Sequence, residues 1–212
     1  MTAVFLALYG LAAVIHLAAI MAGKDFLRGI SKICLLPLLL GCYVFTARTL
    51  QVPVVFALLF GWAGDCFLIA IHRRGFFQLG LGSFLLGHLC YILALGAFAG
   101  PPHYPTLIIA AIIALALGVA VFTLIKPNRN FRLPVVVYGI VIEAMSLWAL
   151  RLLVYRRDGP GIAVFAGSLC FLFSDTVLAY FTFRTMPRYG NFLVMVPYMA
   201  AQLAIALGLA LC

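Results

Sequence analysis

The sequence predicts an all-α polytopic membrane protein, a bundle of eight transmembrane helices, and three observations carry that prediction. Hydrophobic residues make up 67% of the chain and charged ones 9%, against roughly 25% charged in soluble domains. Apolar runs of about 20 residues, the length that crosses a bilayer, recur from end to end. The basic residues sit in short stretches between those runs, the pattern of topology determinants. Membrane orientation therefore accounts for the net charge of +9, and a nucleic-acid-binding role is excluded.

Glycine, proline and charge punctuation divides the chain into spans at about 3–21, 30–47, 52–71, 82–99, 106–125, 133–154, 161–183 and 190–211. The first begins in "MTAVFLALYGLAAVIHLAAIMAG", which lacks the basic leader and cleavage site of a signal peptide, so it is expected to be retained. His16, among alanines, reads as structural. The glycine-rich, half-polar "RRGFFQLGLGS" (73–83) is expected to form an interfacial turn before the fourth helix. Prolines at 37, 134 and 197 give modest hints of breaks in the second, sixth and eighth. The connections leave no room for a soluble domain, so residues 1–212 form a single transmembrane domain. Cys34, Cys42, Cys66, Cys90, Cys170 and Cys212 all fall in apolar text without a ligand spacing and read as small buried hydrophobes. Met145, Met195 and Met199 read as packing.

Eight spans place both termini on one face. Loops 1–2, 3–4, 5–6 and 7–8 hold Lys24, Arg28, Arg73, Arg74, Lys126, Arg129, Arg132, Arg184 and Arg188, whereas the opposite loops hold Arg48, Arg156 and Arg157, with Arg151 near a helix end. The richer side is expected to be cytoplasmic and the termini external. The expected setting is a bacterial inner membrane, or an internal membrane in a eukaryote.

Two carboxylates interrupt this apolar text, Asp65 in "FGWAGDCFLIA" and Asp175 in "CFLFSDTVLAY". Their helices are four spans apart and run in the same direction. Asp65 lies about six residues and Asp175 about eight before the expected cytoplasmic ends, which at ~1.5 Å per residue puts both near one depth. "GDCFL" matches "SDTVL" in placing a small residue before Asp and leucine three after, so a four-plus-four parallel repeat is a further expectation. Phe84, His88 and Tyr91 form one stripe of the fourth helix at i, i+4, i+7. Lys32, Tyr138, Glu143, Tyr198 and Gln202 enter from the same side. An ionisable group inside a bilayer costs about 2.5–3.5 kcal/mol on insertion scales, so these residues are expected to face one polar pocket open toward the cytoplasm. For each of them an interhelical hydrogen bond is the alternative to a functional role, and Lys32 has the further option of snorkelling to the interface.

In these marks the chain resembles the YhhN-like lysoplasmalogenases, eight-helix membrane hydrolases. The resemblance covers essentially the whole chain: Lys32 with "LLPLL", "GWAGDCFL" around Asp65, "FLLGHLCY" with His88 and Tyr91, "YGIVIEAM" from Tyr138 through Glu143, "FLFSDTVLA" around Asp175, and "YMAAQ" with Tyr198 and Gln202. It implies hydrolysis of the sn-1 vinyl ether of a lysophospholipid, releasing a fatty aldehyde and glycerophosphocholine or glycerophosphoethanolamine. An enol ether is cleaved by protonation of its β-carbon and capture of the oxocarbenium ion by water. That chemistry needs a carboxylic acid kept protonated near neutral pH and a negative group beside the cation, as in glycosidase carboxylate pairs.

On this reading Asp65 and Asp175 share a proton, His88 orients water or relays protons, and Lys32 with the loop arginines holds the phosphate. Tyr91, Tyr138, Glu143, Tyr198 and Gln202 complete the substrate site. Isosteric Asn at either aspartate is expected to cut turnover with little effect on folding. No cofactor or metal is expected, since His16 and His88 are the only intramembrane histidines and a zinc amidohydrolase needs about three ligands. A proton-coupled transporter would also place acidic residues at matched depth, with helices broken at midplane. A non-enzymatic scaffold gives no reason to bury five ionisable groups.

Overall fold

The computed structural model describes residues 1–69, 75–184, 186–187 and 189–212. Its helices are α1 (Thr2–Met21), α2 (Asp25–Thr46), α3 (Val52–Ile69), α4 (Phe76–Phe98), α5 (Tyr104–Ile125), α6 (Arg132–Arg156), α7 (Gly159–Thr182) and α8 (Gly190–Leu211). A 3-10 turn, Arg129–Phe131, leads into α6. Each of the eight is long and apolar enough to cross a membrane, and no strand occurs among the described residues. Residues 70 and 71, expected to end the third helix, and the loop cations Arg73, Arg74 and Arg188 lie outside the described residues.

Two helices begin earlier than expected. Gly23 turns the chain with φ at 65°, a conformation open to glycine. Asp25 then joins the first turn of α2 and pairs with Arg28 at 3.1 Å. A carboxylate there also meets the positive end of the helix dipole, so these charges belong to the helix and not to the loop. The glycine-rich stretch before the fourth span is helical from Phe76, where an interfacial turn was expected. Gly80 makes this workable by letting α4 approach α3, since a Cβ there would lie 3.0 Å from a Leu68 methyl carbon. At α7 the start is built by Asp158, whose Oδ1 accepts from the Gly161 N–H at 2.9 Å. The Arg156 guanidinium grips Oδ2 at 2.7 and 2.9 Å. Arg156 and the cap bond together hold the Asp158 carboxyl below its usual range.

Helices α1 and α2, α3 and α4, and α7 and α8 pack as pairs. Small residues bring the last two pairs close: a Cβ at Gly87 would lie 3.2 Å from the Ala57 carbonyl, and one at Gly167 would lie 3.0 Å from that of Ala201. Close backbone approach of this kind is how helices associate where lipid removes the hydrophobic drive. Across the bundle, α4 packs on α6 as α8 packs on α2, and α2 meets α3 as α6 meets α7. Advancing by four helices thus carries the α2–α3–α8 cluster onto α6–α7–α4, which supports the four-plus-four repeat. His88 follows Asp65 by the same number of residues as Tyr198 follows Asp175.

The element that breaks the pattern is α5, where Ile125 is the one buried residue. Both α2 and α8 continue through Pro37 and Pro197, so the breaks hinted at there are absent. Met145, Met195 and Met199 are packed in the core as expected. Among the cysteines only Cys42 is buried; Cys34 is exposed on the outer surface of the bundle and the others are half-buried, because an apolar thiol is as compatible with lipid as with a core. His16 is structural as expected, its Nδ1 lying 3.0 Å from Ser31 Oγ and 3.1 Å from the Arg28 carbonyl.

Candidate active site

The expected single pocket resolves into two hydrogen-bonded triads and one cavity. In the first triad, α3 carries Asp65 into the core at 1% exposure. Lys32 Nζ of α2 meets its Oδ1 at 3.1 Å, and the Tyr198 hydroxyl of α8 donates to its Oδ2 at 2.7 Å. Lys32, expected to hold phosphate, is instead the counter-ion of Asp65. The reason is physical: a fully buried carboxylate needs a charge partner, and Lys32 is the cation that α2 delivers to that depth. Behind the triad, the Tyr91 hydroxyl donates to Gln202 Oε1 at 2.7 Å. That bond is wholly buried and ties α4 to α8.

The second triad is the repeat mate of the first. Asp175 of α7 accepts a hydrogen bond from the Tyr138 hydroxyl of α6. His88 Nε2 of α4 lies 3.2 Å from that hydroxyl and 3.6 Å from Asp175 Oδ2. Tyr138 stands where Lys32 stands in the first triad, and His88 where Tyr198 stands. The Tyr138 hydroxyl thus links the His88 imidazole to the Asp175 carboxyl in one hydrogen-bonded chain.

The carboxylates were expected to share a proton. Each is bound instead within its own triad, and no hydrogen bond joins them. Aromatic rings fill the space between. Phe171 packs edge-on against His88 at 4.6 Å and against Tyr198 at 5.5 Å. Phe84 meets Tyr198 at 6.0 Å, so the stripe of Phe84, His88 and Tyr91 is real but serves three different neighbours.

The second triad opens onto space. A cavity of about 550 Å³ lies among α4, α5, α6 and α7, and Asp175 and Tyr138 form part of its wall. The rest is almost entirely apolar, including Phe77, Leu81, Phe84, Leu115, Phe122, Leu172 and Phe183. Its size and lining suit a small apolar ligand with a few fixed polar contacts. Glu143 also lines the cavity, beside Gly118 of α5, where an added Cβ would lie 2.6 Å from Glu143 Oε1. Among the described residues, no lysine, arginine or histidine lines it. Among the expected site residues, then, Asp175, Tyr138 and Glu143 face the cavity. His88 reaches it through Tyr138, and Asp65, Lys32, Tyr91, Tyr198 and Gln202 lie behind the wall. Sequence reasoning missed Gly118 and Thr176 as wall residues and Phe171 as the divider. Thr176, next to Asp175, was within reach of that reasoning, whereas Phe171 is indistinguishable from ordinary core aromatics. Among the described residues, no three His, Cys, Asp or Glu side chains gather as metal ligands.

Comparison with known proteins fits this arrangement. The sequence profile of the YhhN family matches residues 27–209, which includes every residue of both triads. The chain is 35% identical over 151 residues to mouse (Mus musculus) lysoplasmalogenase TMEM86B, covering 71% of this chain and 60% of that protein. It is 33% identical over 129 residues to the human (Homo sapiens) lysoplasmalogenase TMEM86B, covering 60% and 51%. A lysoplasmalogenase of Mycobacterium bovis is 31% identical over 160 residues, covering 72% and 58%. The matched stretches thus span about half to three fifths of the relatives' length. No solved structure matches the chain.

Proposed function

The chain belongs to the YhhN family, and from that membership and the geometry around Asp175 we propose that it is a membrane-embedded lysoplasmalogenase-type hydrolase. Its substrate is a lysophospholipid with an sn-1 vinyl ether; its products are a fatty aldehyde and the glycerophospho-alcohol. The single observation that carries this reading is the position of Asp175: one carboxyl, hydrogen-bonded to a tyrosine that in turn meets a histidine, at the wall of an apolar cavity with no cation among the described residues of its lining.

The alkenyl chain lies along the apolar wall, with its vinyl ether at Asp175. Protonated Asp175 gives its proton to the β-carbon, and the ether oxygen shares its electrons with the α-carbon as an oxocarbenium ion forms. The carboxylate left behind stabilises that cation at close range, where low dielectric strengthens the interaction. Water adds to the α-carbon and returns a proton to Asp175. The hemiacetal then collapses: its hydroxyl proton leaves, the glycerol oxygen is protonated, and the aldehyde departs. His88 and Tyr138 give a proton a path between the imidazole and the Asp175 carboxyl that does not enter the cavity. Glu143 contacts the substrate farther along the wall. Asp65 acts through Tyr198 and the aromatic divider as a positioning residue, with Tyr91 and Gln202 holding α8 in place. The unbroken α2 and α8 remove the feature that a transporter reading asked for.

Detergent-purified protein is expected to release aldehyde from a lysoplasmalogen and none from its saturated alkyl-ether analogue, in the presence or absence of chelator. Carbon protonation by a carboxylic acid requires no Lewis acid, so loss of turnover on chelation and its return with stoichiometric zinc would overturn the mechanism. Cleavage of neither substrate would overturn the assignment itself.

The orientation follows from the loop cations: both termini lie outside the cytoplasm, and the cavity opens toward it. A reporter fused after Cys212 is expected to behave as periplasmic in a bacterial inner membrane, or lumenal in an internal one. A clean cytoplasmic signal would reverse the placement of the cavity.

A further inference from the structure

Among the described residues the cavity has no cation in its wall, and Lys32 is paired with Asp65, so the described cations nearest the cavity's end are the candidates to meet a substrate phosphate. Its end near the α5–α6 and α7–α8 connections is walled by Phe77, Ile125, Thr182 and Phe183. Two of these are chain neighbours of cations, Lys126 after Ile125 and Arg184 after Phe183. The Arg184 guanidinium donates to the Leu124 carbonyl at 3.1 Å and lies 4.7 Å over the Tyr180 ring. It is thus drawn across the mouth from α7 to the end of α5. Phe131 contacts Phe183 at 5.8 Å and Phe77 at 5.5 Å. This brings Arg132, which follows Phe131, to the same rim, with Arg129 in the preceding turn. Lys126 ends α5 as its left-handed cap, with φ of 50°.

These four cations have no carboxylate partner. The ion pairs among the described residues are Asp25 with Arg28, Asp65 with Lys32, Asp158 with Arg156, and Asp175 with His88. The remaining acid, Glu143, is inside the cavity. A basic rim without carboxylate partners over an apolar cavity matches a molecule with an apolar tail and an anionic phosphate. We propose that Lys126, Arg129, Arg132 and Arg184 form the phosphate subsite, with Arg184 and Arg132 as its principal donors. Resting on the hydrolase reading, it fixes the substrate's direction: alkenyl chain inward past Asp175 and phosphate at the rim. Asp175 and Arg184 are nine positions apart on one strand of chain, about 13 Å at helical rise, a gap bridged by the glycerol unit and the reach of an arginine side chain. Guanidinium forks suit phosphate oxygens through paired hydrogen bonds.

The test measures equilibrium binding of the uncleavable 1-O-alkyl-glycerophosphocholine and of phosphate-free 1-O-alkylglycerol of equal chain length, in neutral detergent without anionic lipid. Arg184→Gln and Arg132→Gln are each expected to weaken the phosphate ligand about tenfold, in line with a charge-assisted hydrogen bond, and to leave the alkylglycerol unchanged. Arg157→Gln, which removes one charge at the opposite end of the bundle, is expected to change neither. Inorganic phosphate is expected to compete only weakly, since it lacks the chain that fills the cavity. Equal losses for both ligands, or no loss for either, would overturn the subsite. Because binding is read without turnover, that result is distinct from a failure to cleave the vinyl ether.

Discussion

Asp175→Asn is expected to lower turnover by at least about 10²-fold, the low end of a general acid–base contribution, in a protein that remains folded. The asparagine keeps the side chain's shape, and the cavity at its edge leaves room for the Tyr138 hydroxyl to reorient. What disappears is the proton that must reach carbon, and neither the tyrosine nor the histidine can supply it at that position. Tyr138→Phe cuts the relay while leaving the acid in place, so its loss is expected to be smaller. The two changes together are expected to cost little more than Asp175→Asn alone, because residues that act as a unit are not additive. The measurement is single-substrate turnover for the three variants beside their thermal stability in one detergent. Near-normal turnover by Asp175→Asn would remove it from the chemistry.

Asp65→Asn is expected to fail in a different way. Removing that carboxylate leaves Lys32, only 16% exposed at its side chain, as an unpaired cation in the core, a change that typically costs about 3–5 kcal/mol. Yield and thermal stability should therefore fall sharply. The double variant Asp65→Asn with Lys32→Met removes both charges and is expected to recover stability, since replacing both members of a buried pair is often neutral. The recovered protein is expected to retain turnover within about tenfold of the wild type, a modest deficit for loss of a positioning contact. Recovery of stability with turnover as low as that of Asp175→Asn would return Asp65 to the reaction.

The contrast between these aspartates marks the limit of what the sequence made legible. Span number, order and most boundaries followed from apolar run length, because the bilayer imposes it. Helix direction and rise also gave Asp65 and Asp175 a common expected depth. Their unequal roles did not follow. Which residues face a cavity depends on helix rotation, and in lipid the outer faces are as apolar as the core, so α4, α5 and α6 show no amphipathic stripe to betray it. Lys32 could be placed near the right depth but not assigned to a partner, because that choice is made by the packing of α2 on α3. The early starts of α2 and α4 were missed for a related reason. Charge and glycine were read as loop, whereas a dipole contact and a close helix approach made them helix.

The fourfold shift that relates the two triads has a consequence for the membrane itself. A unit of four helices begins and ends on the same side, so the two halves insert in the same direction and their relating axis stands along the bilayer normal. Two halves related in that way are expected to hold both acids in one half of the bilayer's thickness. The cavity and its rim share that polarity. On the proposed hydrolase reading, such a molecule is expected to sample lipids from a single leaflet, a lysolipid formed in the opposite leaflet reaching it only after crossing over.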